Sequence, residues 1–101
     1  NIMDGLVETV SWHEIDHIVA KGGVLVDVRT KEEIAHGMVS GSIHIPLDEL
    51  RDRLQELPKE KDIYVICQAG LRGYIAVRIL RQHGFRAINV DGGYRLYAVA
   101  K

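Results

Sequence analysis

Residues 63–73 read Ile63-Tyr64-Val65-Ile66-Cys67-Gln68-Ala69-Gly70-Leu71-Arg72-Gly73. The first four are apolar, β-branched or aromatic without alternation, the pattern of a strand buried on both faces. Gly70 to Gly73 reads as a turn. Beyond it, Ile75, Val77, Ile79 and Leu80 point mostly inward on an amphipathic helix, with Arg78, Arg81 and Gln82 outward and Gly84 as its stop. A buried strand, a Gly-rich turn and a long helix make one βα unit, and the rest of the chain repeats that alternation.

Upstream, Val24-Leu25-Val26-Asp27-Val28 is a second strand of the same type, and Val7-Glu8-Thr9-Val10 a shorter β-prone run. Between them, Ser11 as N-cap and Glu14 three residues later form a capping-box pattern, predicting a helix to about Lys21 that Gly22-Gly23 ends. Thr30 and Glu33 repeat the pattern and start a short helix ending near Gly37. Gly41 to Pro46 is an extended crossing. Leu47, Leu50, Leu54 and Leu57 have helical spacing up to Pro58. Downstream, Ala87-Ile88-Asn89-Val90 is a last strand, Asp91-Gly92-Gly93 a turn and Tyr94 to Ala100 a terminal helix. This order predicts a three-layer α/β fold with a central parallel sheet of about five strands and helices on both faces.

The chain has 101 residues, the size of one domain. We read residues 1–6 as a linker or fragment start and 7–101 as the domain. A start without Met is what a domain within a larger protein would show. Thirteen basic and fourteen acidic residues give a formal charge of -1, which argues against nucleic acid or an acidic membrane as partner. One cysteine forms no internal disulfide, no Cys-based zinc site and no intrachain dithiol cycle. With no signal peptide and no apolar run near 18 residues, it predicts a cytoplasmic location away from the membrane.

Cys67 is predicted at the carboxyl end of a parallel strand, where such sheets bind their ligands. Its loop suits an anion. The two glycines let the segment Gln68, Ala69, Gly70, Leu71, Arg72, Gly73 curl so that several backbone N–H groups point inward. The following helix adds its positive end, and Arg72 a charge that does not titrate. All three favour thiolate over thiol, and the cradle would also hold a charged sulfur attached to Cys67. The plainer reading of a lone cysteine is a buried core residue; the combination of strand end, glycines, helix start and arginine outweighs it.

At this point the sequence resembles the rhodanese family of sulfurtransferases. The C-x-x-G-x-R segment Cys67 to Arg72 is similar to the family's persulfide-forming loop. Asp27-Val28-Arg29 with Glu33 resembles its D-V-R segment and following acidic residue. Gly37-Met38-Val39-Ser40-Gly41-Ser42-Ile43-His44-Ile45-Pro46 resembles its G-H-I-x-G-A-x-N-I-P crossing, and Val90-Asp91-Gly92-Gly93 the turn before its last helix. The departures are Met38 for His, His44 for Asn, Ala69 for a small hydroxyl residue and Gly73 for Ser or Thr.

The resemblance implies roles. Cys67 is the nucleophile and persulfide carrier, and Arg72 stabilises the anion from inside the loop or at its mouth. Asp27 and Arg29, with Glu33, brace the loop and its neighbouring helix. The expected partners are a sulfane-sulfur donor and a thiol acceptor, with no cofactor in this domain. Gln68 to Tyr74 and Val10 to Asp16 further resemble the C-terminal rhodanese domain of flavin-dependent coenzyme A-disulfide reductases. That implies a flavoprotein domain in cis that carries FAD and uses NAD(P)H and coenzyme A.

Other readings compete. His13-Glu14-Ile15-Asp16-His17 matches the H-E-x-x-H zinc pattern, but its helix is short, Glu14 is explained by capping and no third-ligand motif follows; no metal is expected. Thiolate phosphatases and arsenate reductases need five residues between Cys and Arg, and four stand here. A cysteine protease needs a histidine base, and His36 and His44 carry no supporting signature. An inactive rhodanese-like interaction module is the strongest rival, though such modules typically lose the cysteine that Cys67 supplies.

Overall fold

The computed structural model describes residues 9–68 and 71–100, without the side chains of Leu71 and Ala100. The predicted linker, Val7, Glu8, Ala69 and Gly70 lie outside the described residues. Five strands, β1 (Thr9–Ser11), β2 (Val24–Asp27), β3 (Ile43–His44), β4 (Ile63–Ile66) and β5 (Ala87–Asp91), form one sheet in the order β1-β5-β4-β2-β3. Every pairing is parallel. Among the described residues the α-helices are α1 (Ile15–Ala20), α2 (Lys31–Ile34), α3 (Leu71–Gln82) and α4 (Gly93–Ala100). The predicted architecture is the one observed.

Strand alternation builds two cores. Val26, Val65 and Ala87 face one way and pack with Ala76, Val77 and Leu80 of α3, and with Leu50. Leu25, Ile66 and Val90 face the other way, against Ile15 of α1, with Trp12, Tyr94 and Tyr97 around them. Tyr97 of α4 also donates to Asp16 of α1 across 2.6 Å. From β2 the chain moves outward to β3; from β4 it moves the opposite way to β5. The order therefore reverses between β2 and β4, and a crevice opens at their carboxyl ends.

Four local expectations need correction. The Ser11 capping box does not form. The Ser11 side chain accepts from the His13 N–H, and Trp12–Glu14 is a 3₁₀ turn that precedes α1. Its tight turn stacks Trp12 on His13, ring centroids 3.8 Å apart. Leu47–Asp52 and Leu54–Glu56 are two 3₁₀ segments, not one α-helix. α3 begins at Leu71, three residues inside the predicted turn. Ile75, predicted inward, is 52% exposed, while Ala76 takes the buried position. The Thr30–Glu33 capping box forms with both of its hydrogen bonds. Among the described residues, no helix is long and apolar enough to cross a membrane.

Candidate active site

Cys67 follows the last residue of β4, the central strand, and is 1% exposed. Because α3 starts at Leu71, its first N–H groups have no partner within the helix. One is used here: the Gly73 N–H points at Cys67 Sγ, 3.2 Å away. The sulfur thus caps a twelve-residue helix. A negative charge on it meets the positive helix end and a backbone donor together.

The backbone just after the cysteine is held from the other side of the sheet. Tyr94 and Arg95, in the first turn of α4, donate their N–H groups to the carbonyls of Cys67 (2.8 Å) and Gln68 (3.0 Å). Two helix N-termini therefore clamp one loop: α3 at the sulfur, α4 at the carbonyls behind it.

The D-V-R segment forms the second support. Asp27 ends β2 and is fully buried, and Arg29 is 1% exposed. Burial of both charges requires close pairing. Arg29 Nε lies 2.9 Å from Asp27 Oδ1, and its Nη2 lies 2.7 Å from Oδ2. The remaining guanidinium hydrogens reach outward, to the Gly37 carbonyl at 2.8 Å and to Gln68 Oε1 at 3.3 Å. The plane stacks on Tyr94, with Cζ 4.0 Å from the ring centroid. Arg29 thus joins β2, the Gly37 turn, the Cys67 loop and α4. His44, which stands where the family often has Asn, bonds the Arg29 carbonyl through Nε2 at 2.7 Å.

Glu33 and Arg72 meet across 39 residues of chain. The pair is bidentate, at 2.7 and 2.6 Å. Glu33 Oε1 also accepts from the Thr30 N–H, so one carboxylate closes the α2 cap and holds the arginine of the loop. The Arg72 hydrogen bond, with smaller help from Thr30, brings the Glu33 carboxyl down to about 2. Arg72 is raised, chiefly by its hydrogen bond and ion pair with Glu33. A carboxyl lowered on folding stabilises above its unfolded range, and that stability is lost as pH falls toward the folded value. We therefore expect the wild-type unfolding midpoint to decline between about pH 4.5 and 2, where Glu33→Gln stays flatter. Urea melts across that range check this. Because the pair is a third exposed, salt should narrow the difference.

Hollows of about 330 and 400 Å³ flank the pair. Arg29, Glu33, His36, Gln68 and Tyr94 line the first. Val28, Pro46, Leu47, Arg51, Arg72 and Ile75 are among those lining the second. Of the sequence-predicted residues, the structure brings Cys67, Gln68, Gly73, Asp27, Arg29, Arg72 and Glu33 together. Ala69, Gly70 and the Leu71 side chain lie outside the described residues. His13 is taken up by Ser11 Oγ at 2.6 Å and by Trp12. Among the described residues, no cluster of His, Cys, Asp and Glu could hold a metal ion.

The fold and site together define an α/β domain with a five-stranded parallel sheet and one cysteine at the junction of its central strand and a long helix. The chain belongs to the rhodanese-like domain family, whose model matches residues 11–100. It is 37% identical over 103 residues to the human thiosulfate:glutathione sulfurtransferase, covering 86% of this chain and 90% of that one. With relatives of that kind it is a sulfurtransferase-type domain. Reduced Bacillus anthracis CoADR-RHD contains a similar domain, with 60% identity and a TM-score of 0.89, covering 97% of this chain. A NAD-dependent persulfide reductase from A. fulgidus matches at 39% identity and a TM-score of 0.78, over 96% of this chain. The chain spans 18% and 17% of those two proteins.

Proposed function

We propose that Cys67 carries sulfane sulfur as a persulfide and passes it to a thiol, coenzyme A or a polysulfide-related acceptor. The observation that carries this reading is the Gly73 N–H on Cys67 Sγ at the start of α3. In the first half-reaction the Cys67 thiolate attacks the outer sulfur of a donor persulfide. The Cys67 S–S bond forms, the donor S–S bond breaks, the donor leaves as its thiolate, and the proton stays on the terminal sulfur. In the second, an acceptor thiolate attacks that sulfur, takes it with its proton, and returns Cys67 as thiolate. No net oxidation occurs, and no strong base is needed if the cysteine is already ionised. The helix end, the backbone donors and Arg72 stabilise the charge. Gln68, Ala69, Gly70, Leu71 and Gly73 form the cradle, and Asp27, Arg29 and Glu33 hold it in shape.

The full protein is proposed to be a flavin-dependent disulfide reductase, in which FAD and NAD(P)H belong to another domain that reduces the transferred sulfur. The likeness to CoADR-RHD and to the persulfide reductase supports this, as does the small share of each that the chain spans.

Incubation with thiosulfate, polysulfide or coenzyme A persulfide, followed by intact mass, tests the reading. We expect a gain of one sulfur that dithiothreitol removes and that Cys67→Ala abolishes. The near-complete burial of Cys67 favours one rival, an interaction module with a structural cysteine. Absence of an adduct with every donor would decide for that rival.

A further inference from the structure

No part of the C-x-x-G-x-R loop accounts for what stands behind Gly73. Asn89 does. It lies on β5, in register with Val65 of β4, and is fully buried. It shares strand parity with Ala87, so it faces α3. A Cβ added at Gly73 would fall well inside 3.0 Å of Asn89 Oδ1, closer than real Cβ atoms come, and 3.0 Å from its Cγ. The carboxamide therefore fills the volume that a side chain at position 73 would need. Gly73 stands where the family frequently has Ser or Thr, and that departure has a physical partner in Asn89.

Gly73 also supplies the N–H that reaches Cys67 Sγ. Its Cα is in contact with the carboxamide, so Asn89 sets how near the first turn of α3 comes to β5. That spacing fixes where the N–H stands relative to the sulfur. We propose that Asn89 is a positioning residue for Cys67: its buried carboxamide, matched to a glycine at 73, holds the Gly73 N–H on the sulfur. This rests on the sulfur-transfer reading for its purpose and deepens that site by one residue outside the loop.

The pairing makes the two positions interdependent. Asn89→Ala removes the prop, and the first turn can settle toward β5. Gly73→Ser places a side chain where the carboxamide already stands and drives the turn outward. Together, the serine takes the vacated space and the turn returns.

The test reads the sulfur directly, without any sulfur donor. The ultraviolet absorbance of the Cys67 thiolate is unambiguous in a chain with one cysteine, and iodoacetamide alkylation at neutral pH reports the same population. Each single variant should alkylate about tenfold more slowly, the order of one hydrogen bond to a charged acceptor. Asn89→Ala with Gly73→Ser should recover at least half of that loss on a logarithmic scale and regain thiolate absorbance. Urea melts establish which variants are folded. If Gly73→Ser does not fold, Asn89→Ala decides alone: folded protein with wild-type thiolate absorbance would overturn the proposal. So would a double variant no faster than the slower single one. Normal thiolate behaviour without any persulfide counts against sulfur transfer, and leaves the role of Asn89 standing.

Discussion

Arg29→Ala is expected to cost about 3–5 kcal/mol of folding stability, the range for removing one partner of a buried ion pair. Its partner Asp27 is fully buried, and Arg29 makes three side-chain bonds to that carboxylate. Without the guanidinium the carboxylate stays in the core with only the residue 29 N–H on Oδ1. The Gly37 carbonyl and Gln68 Oε1 each lose a donor, and Tyr94 its stacking partner. Against the 5–15 kcal/mol typical of a domain of this size, that is a large share, roughly a fifth or more. Urea unfolding of wild type and Arg29→Ala measures it, and a difference under about 1 kcal/mol would show the pair to be weakly coupled. Arg29→Met with Asp27→Leu separates fold from site. It removes both charges and should regain much of the stability, because well-packed apolar substitutes often equal a buried pair. It should not regain wild-type alkylation of Cys67, because the Gln68 side chain then loses the donor that ties it to β2.

The readable and unreadable parts of this site differ in a physical way. Val24–Val28 and Ile63–Ile66 announced themselves because a central parallel strand is buried on both faces and leaves an unbroken apolar run. The Gly-rich turn and the arginine after Cys67 are local, and so was the Thr30–Glu33 capping box. Ser11–Glu14 has the same spacing and fails. Its hydroxyl is taken by His13, and a 3₁₀ turn places Glu14 at the end of the segment, not in the first turn of a longer helix. Leu47 and Leu50 are three apart, and residues three apart eclipse on a 3₁₀ helix as well as neighbouring on an α-helix. Spacing alone did not separate the two. Ile75 lies four residues before Ile79 and shares its side of the helix by spacing, so the pattern places both inward. The buried stripe is centred on Ala76, Val77 and Leu80, which leaves Ile75 at its edge and half exposed.

The long-range contacts left no local trace. Glu33 reaches Arg72 over 39 positions, and the capping box that revealed Glu33 also concealed its second partner. An arginine two residues past a strand reads as exposed, and only the fold places Asp27, Gln68, Gly37 and Tyr94 around it. Asn89 carries no motif, and His44 sits in the crossing motif only as a departure from it; each matters through a backbone atom of a neighbour, which a side-chain pattern does not record.

Gly93→Ala should produce the second large effect, and Gly92→Ala is its control. Both glycines have positive φ, +62 and +85, so both substitutions incur a left-handed penalty. They differ in what the new methyl meets. At Gly92 it faces side-chain carbons of Leu96 and Trp12 at 2.8 Å, which can rotate. At Gly93 it runs into the carbonyl oxygens of Cys67 and Gln68, the atoms that the first turn of α4 clamps. Backbone held by two helix ends cannot yield without losing the Tyr94 and Arg95 hydrogen bonds. Adding a left-handed penalty of about 1–2 kcal/mol to overpacking of about 1–3 puts Gly93→Ala at roughly 2–5 kcal/mol. Gly92→Ala should fall near the lower end. The loop should respond in the same order: Gly93→Ala displaces the carbonyl of Cys67 itself and slows its alkylation, whereas Gly92→Ala leaves the rate near wild type. Urea melts and alkylation rates on the two variants check both statements. Equal effects at the two glycines would mean that α4 only covers the sheet. The expected asymmetry would make α4 the second clamp on the sulfur-bearing loop.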